Sequence, residues 1–334
     1  EFKSILDKDK NTKSTWVAAI NNELWAESPY AALEMTTEAL NKFPDDTDLL
    51  YLKASAEENT NNPLQAFNTI ELLLTKDPGN QKAKDYENSL NNKLRKNTIG
   101  VRAEVDVFSE VFDPFEYYTL KYARQTKYGS MIAKINYDRR FDENGIQYEI
   151  DLYPKIAKGF YAYVNLGVAN SSLFPDVRYG AELYKSLPKS FEASLGFRTL
   201  KFSTTTNIYT GSLGWYTGND YWTFRTYLTP GDAGLSTSGI IGYRKYRKDA
   251  NNFIGCSFGI GISPENNQFF IISQPNSTVI LKSQRVRIEY DFSSSNNRNI
   301  WGTQFGITHQ EKIFDVGNYF WMYTFTLSWE MNFK

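Results

Sequence analysis

One histidine and one cysteine occur in the 334 residues, His309 and Cys256. A serine hydrolase needs its histidine hydrogen-bonded to a nucleophile and oriented by a third polar group. Serines are plentiful, so His309 is the position on which such a chemistry would turn; the plainer reading is a residue at the edge of a loop. A durable transition-metal site asks for several His or Cys ligands, and a disulfide framework asks for paired cysteines. The sequence therefore predicts no metal centre, no cofactor and no disulfide. A formal net charge of −1 argues against a nucleic-acid binder, which needs a dominant basic surface.

The more informative chemistry sits on alternate positions of the last two thirds of the chain. Arg102, Lys121, Lys134, Arg198, Arg225, Arg244, Arg285 and Arg287 share one parity with Glu104, Asp106, Asp138, Glu149, Asp151, Glu182, Glu192, Glu289, Asp291 and Glu330. Tyr161, Tyr163, Tyr184, Tyr221 and Tyr227 fall on the same parity. The opposite parity is apolar. If the charged side chains line the lumen of a barrel, their balance matters, because a pore for anionic polymer shows an excess of Arg and Lys and one for cations an excess of carboxylates. Here the signs are mixed, which favours charges paired across a narrow interior over a wide open channel. The inward tyrosines suit either a sugar-stacking track or simple filling.

The elements that would position these residues are strands. Val101, Ala103, Val105 and Val107 alternate with Arg102, Glu104 and Asp106, and the same period of two recurs to the segment Tyr319, Trp321, Tyr323, Phe325, Leu327, Trp329, Met331 and Phe333. Turn residues separate runs near 99–110, 116–127, 130–141, 145–153, 159–170, 177–186, 190–203, 207–217, 221–229, 236–247, 253–263, 281–293, 299–309 and 319–333. Aromatic residues are 16% of the chain, yet mean hydropathy is −0.50 and no run approaches the length of a membrane helix. A transmembrane barrel of about 14 strands, or 12 with two longer loops, reconciles the two facts, since lipid-facing and lumen-facing residues alternate. A large soluble β-sandwich would alternate too, but the aromatic pairs Trp215-Tyr216 and Tyr221-Trp222 at run ends suit interfacial girdles. An even strand count returns both barrel ends to one side, and the longest connection, 264–280, falls on the other. Cys256 alternates with Phe258, Ile260 and Ile262 and so faces lipid; the interleaved Gly255, Gly259 and Gly261 make a smooth inner strip.

The first third is different. Residues 1–15 are polar and lysine-rich and read as a flexible arm; with no Met or apolar segment at Glu1-Phe2-Lys3, the chain reads as a mature or trimmed product. Residues 16–95 carry a helical pattern in which Pro44 and Pro78 lie 34 residues apart, the period of a tetratricopeptide repeat. Counting back from the prolines puts Trp16, Ala32 and Ala39 in one copy, and Ala54 and Ala66 in the next, where small residues let antiparallel helices approach. Ile20 and Ala54 occupy the position usually held by Gly, Leu73 replaces a small residue, and 81–95 reads as a capping helix. The domain expectation is thus an α+β multidomain chain: arm 1–15, tetratricopeptide-like helical domain 16–95, barrel 99–334.

The run Val101-Arg102-Ala103-Glu104, the segment Tyr184-Lys185-Ser186-Leu187-Pro188, and Gly214-Trp215-Tyr216 leading into Tyr221-Trp222, behind a helical-repeat front, resemble the YaiO-type outer-membrane β-barrel family. The resemblance covers about residues 30–334 and implies a bacterial outer-membrane location with the helical domain in the periplasm. It also implies a place in cell-surface polysaccharide export or envelope transport, contact with outer-membrane lipid, a periplasmic or outer-membrane protein partner for the helices, and no catalytic residues. The alternative is a plugged barrel serving as anchor or scaffold of an envelope complex. A hydrolase using His309 is the remote third.

Overall fold

The structure is a computed structural model describing residues 12–110, 112–231, 234–261, 282–312 and 315–334. It divides into two compact units, one ending at Arg95 and one spanning Lys96–Phe333.

The described residues of the first unit form five helices: α1 (Lys13–Trp25), α2 (Pro29–Lys42), α3 (Thr47–Asn59), α4 (Pro63–Lys76) and α5 (Gln81–Leu94). The 34-residue period is visible in the helix starts. Pro29 and Pro63 each occupy a first helical turn, where the absent N–H costs nothing, and Asp46 and Asn80 each cap the helix that follows. Trp16, Ala32 and Ala39 are buried with Ile20 and Leu49 in one cluster; Ala54 and Ala66 are buried with Ile70, Leu73 and Leu90 in a second. Pro44 and Pro78 sit exposed in the turns after α2 and α4. Residues 13–15 belong to α1 and not to an arm, because Lys13 is held by Asp46 at 2.8 Å and Asp48 at 2.7 Å; residues 1–11 of that expected arm lie outside the described residues. On α5, Tyr86 donates to Glu58 at 2.6 Å, and burial together with that carboxylate raises its phenol pKa.

Asp46 shows what such a cap is worth. Its carboxylate accepts from the backbone N–H of Asp48 and Leu49 at 3.0 and 3.1 Å. Burial pushes its pKa up, but the Lys13 hydrogen bond and those two amides outweigh it, leaving the carboxyl below its ordinary value. Its contribution is therefore complete above the unfolded pKa of about 3.9 and is lost as pH falls through the lower folded value. Asp46→Ala is expected to destabilise the helical unit by about 1 kcal/mol at neutral pH. Thermal melts of the full chain followed by helical circular dichroism should show that deficit shrinking in strong acid; a deficit independent of pH would assign it to something other than the carboxylate.

The second unit is a closed antiparallel barrel of fourteen described strands: β1 (Asn97–Phe108), β2 (Phe115–Thr126), β3 (Gly129–Arg140), β4 (Glu143–Ala157), β5 (Phe160–Ala169), β6 (Val177–Leu187), β7 (Phe191–Lys201), β8 (Thr205–Thr217), β9 (Asp220–Gly231), β10 (Gly234–Tyr246), β11 (Phe253–Ile260), β12 (Ser283–Ser293), β13 (Asn299–Lys312) and β14 (Asp315–Phe333). Each strand pairs with its neighbour in sequence, and β1 closes on β14, from Asn97 opposite Phe333 to Phe108 opposite Met322. Among the described residues the closed barrel has fourteen strands, not twelve. Asn97 and Phe333 mark the near end of the barrel, and Phe108 and Met322 lie toward its far end.

The wall alternates as the sequence does. Val101, Leu120, Ile150, Leu195, Phe224, Ile288 and Leu327 are exposed on the outside, as lipid-facing positions of a membrane barrel must be. Cys256 is exposed among them. No described helix is long and apolar enough to cross a membrane. The long connection at 264–280 lies outside the described residues. At the far end the β3–β4 connection is Phe141-Asp142, with φ of 55° and 60°, the pair of left-handed residues that a two-residue hairpin needs.

Candidate functional site

The barrel lumen is lined by three bands of side chains. The middle band is ionic. Glu182, 1% exposed, accepts from Ser194 Oγ at 2.5 Å, from Arg198 at 3.0 Å and from Arg225 at 3.1 Å. Arg225 also donates to the Tyr184 hydroxyl and to Thr210, each at 3.1 Å. A second network joins Lys134 to Asp151 and, at 3.5 Å, to Glu149; Asn165 Nδ2 donates to both carboxylates at 2.6 and 2.7 Å, and the Tyr163 hydroxyl donates to Asp151 at 2.9 Å. Elsewhere on the wall Arg244 pairs with Glu289 at 2.6 Å, Lys121 with Glu330, and Arg102 with Glu104, while Asp106 accepts from Thr324 at 2.5 Å. Arg285 donates to Thr308 at 3.1 Å. Arg287 lies opposite Ser257 and Gly306, and its Nε is buried with no hydrogen-bond partner. Lys121 and Lys134 face each other across β2 and β3, yet each has its own carboxylate, so opposite charges neutralise locally instead of summing to a field.

Inward glycines make this possible. A Cβ on Gly180 would stand 2.4 Å from Arg198 Cδ and 2.6 Å from the Phe197 carbonyl, and one on Gly255 would stand 2.4 Å from Glu289 Oε1. These large side chains lie flat over a neighbouring strand that offers no side chain of its own. Gly180→Ala should lift Arg198 off the wall at a cost of about 1–3 kcal/mol. Denaturant unfolding of the detergent-solubilised protein reads that loss, and an unchanged midpoint would show that the wall yields there.

The far band is apolar. Phe108, Phe112, Phe115, Phe141 and Phe320 pack with Met322; Phe115 and Phe141 have ring centroids 4.6 Å apart. A second cluster holds Leu200, Ile208 and Tyr227 with Phe202 and Ile240. The β5–β6 connection, residues 170–176, also reaches inside. Leu173 and Phe174 are 1% and 6% exposed, and the Leu173 carbonyl accepts from Arg140, whose fully buried guanidinium pairs with Asp138 at 3.3 Å. A cavity of about 640 Å³ remains in the lumen, lined by Arg102, Glu104, Lys121, Lys134, Asp138 and Glu149 together with Leu173, Phe174 and Leu200.

The near band is tyrosine. Tyr161 and Tyr184 stack at 4.7 Å and 6°, Tyr216 and Tyr221 at 4.1 Å and 22°, and Tyr153 packs on Tyr163 at 5.1 Å. These residues stay partly accessible, whereas Tyr227 is buried at the far end, away from them.

Alternation thus identifies who faces inward, but not the apolar far band. Its signal is nonetheless in the sequence: Phe108, Phe115, Leu200, Ile208 and Phe320 occupy the inward parity where polar residues are otherwise the rule, and every one lies in the far-end half of its strand. Tyr216 is a strand-end aromatic whose inward direction follows from its even spacing from Ile208 and from its pairing with Tyr221. His309 projects outward from β13, its ring stacked on Tyr319 at 4.5 Å and 14° and lying 4.5 Å from Trp321, so it is part of the aromatic outer surface.

A closed antiparallel wall with an apolar exterior and a paired, polar interior defines a bacterial outer-membrane β-barrel in contact with lipid. A family model, the YaiO membrane beta barrel domain, matches residues 96–266, more than half of the chain, and the protein belongs to that family. No curated protein matches the sequence. Among solved structures it is similar to a bacterial polysaccharide outer membrane secretin (7% identity, TM-score 0.49, 72% of this chain and 99% of that one). It is also similar to the Acinetobacter baumannii outer membrane protein Omp33 (12%, 0.44, 72% and 98%) and to an anion-selective porin from Comamonas acidovorans (8%, 0.38, 71% and 98%). The likeness is of fold alone.

Proposed function

We propose that this protein is a barrel occluded at its outer end that anchors a periplasmic helical unit, residues 16–95, which docks a protein partner of the cell envelope. The observation that carries this reading is the apolar narrowing of the far half of the lumen, where Phe115, Phe320, Leu200, Ile208 and Leu173 are all buried. The helical unit precedes β1, so the near end takes the periplasmic side and the sealed end the cell surface. Stacked helical pairs are a common platform for binding proteins. Planar-bilayer recording of the full chain should find no steady conductance, and native purification from membranes should recover an envelope protein that is lost when residues 12–95 are deleted. A persistent open channel, or recovery of the lone protein, counts against it.

A second reading has its own support. The near band of tyrosines is accessible from the side on which a polymer would arrive, which favours export of a cell-surface polysaccharide through a barrel whose seal opens. Conductance that appears only when the partner or polymer is supplied separates this reading from the first.

A further inference from the structure

Five consecutive strands, β5 to β9, each place one side chain on the inner wall near the barrel mouth: Tyr161, Tyr184, Glu192, Tyr216 and Tyr221. Their order along the wall follows from the pairing. Tyr161 lies opposite Tyr184, Glu192 lies opposite Ser186 on one side and Gly214 on the other, and Tyr216 lies opposite Tyr221. Each tyrosine pair is stacked, so a ring face on either side of Glu192 remains for a ligand. Gly214 keeps the arrangement flat, because a Cβ there would meet the Tyr221 hydroxyl at 2.8 Å. At about 4.8 Å between strands the row extends over roughly 19 Å.

We propose that this row binds a neutral oligosaccharide chain running around the inner wall, with the tyrosine pairs stacking on sugar rings and the Glu192 carboxylate accepting from sugar hydroxyls. Two features select that class. Flat pairs of phenol rings suit a ligand with apolar faces and polar edges. The deeper arginine that touches the row, Arg225, is already paired with Glu182, so its guanidinium is not free to hold an anionic chain, and Glu192 repels one. The length of the row suits a chain of several sugars better than a single one. The inference deepens the second reading above by naming a ligand class and a subsite, and it stands or falls separately: binding without conductance removes passage and leaves the site, while conductance without binding does the reverse.

The test uses the full chain in lipid nanodiscs, free of sugar detergents, titrated by calorimetry with maltohexaose, cellohexaose, hexagalacturonate and spermidine. One of the two neutral hexasaccharides is expected to saturate. The double variants Tyr161→Ala/Tyr184→Ala and Tyr216→Ala/Tyr221→Ala should each weaken it at least about tenfold, and the corresponding Phe variants should keep affinity within about threefold, because stacking and not the hydroxyl dominates. Saturation transfer on the wild type, from aromatic protons to the ring C–H protons of the bound sugar, decides the matter even where a variant does not fold. The proposal is overturned if neither neutral probe binds, if the Ala variants bind as the wild type does, if no transfer reaches the ring protons, or if spermidine or hexagalacturonate is the probe that saturates.

Discussion

Glu182→Ala is expected to lower the unfolding free energy of the barrel by about 3–5 kcal/mol, the range for breaking a buried charge pair from one side. The carboxylate is 1% exposed and receives Ser194, Arg198 and Arg225 together. Removing it leaves two guanidinium groups facing each other in the middle of the lumen with no anion between them. Glu182→Gln keeps the volume and one acceptor, so it should fall between the wild type and the Ala variant. Adding Arg198→Met to Glu182→Ala should recover part of the loss, since one of the stranded charges goes with it. Guanidinium unfolding of the reconstituted protein measures all three. A loss under about 1 kcal/mol for the Ala variant, no more than an exposed pair contributes, would mean that water reaches the network and that the middle of the barrel is open.

The second large effect concerns the far end. Leu173, Phe174 and Pro175 reach the same interior cavity as the ionic residues, and Arg140 holds the Leu173 carbonyl. An apolar constriction excludes ions by excluding water. Replacing residues 173–175 with Gly-Ser-Gly, combined with Phe115→Ser and Ile208→Ser, should therefore raise ion conductance in planar bilayers by on the order of tenfold or more over the wild type. The replacement at 173–175 alone should give brief, partial openings, because the two side clusters remain. If the combined variant folds and still conducts no ions, the blockage lies elsewhere in the lumen, with the paired charges as the first suspects.

Most of the barrel was legible because a two-residue period admits only two assignments per strand, and turn residues fix where each strand stops. The runs read at 116–127, 177–186 and 207–217 correspond to β2, β6 and β8 within two residues. The helices were legible for a similar reason, since Trp16, Ala32, Ala39, Ala54 and Ala66 mark the same close contacts at a fixed interval. What alternation does not contain is register. Arg225 meets Glu182 across 43 positions and Arg244 meets Glu289 across 45, and these partnerships depend on how far each strand is staggered against the next. Connections that fold inward are hidden for another reason: Leu173 and Phe174 follow no period, so nothing in their spacing separates an inserted loop from one that stays in water. Tyr227 illustrates the limit from inside a strand. Its parity is that of Tyr221, but six residues along a strand carry it from the mouth to the apolar far band.

The closure of β1 on β14 also governs how such a molecule can come into being. Among the described strands, every other pair is joined by a connection in sequence and can form as soon as its second member exists, while Asn97 must find Phe333 from the opposite extreme of the barrel. The entropy of that last ring closure is spent before its twelve-residue ladder returns anything. Until then the sheet has two unpaired edges, and each is a template for adhesion to other chains. Maturation of this protein is consequently a race between sealing one seam and aggregating along it, and a variant that weakens only the β1–β14 seam would reduce yield far more than it reduces the stability of the molecules that succeed in closing.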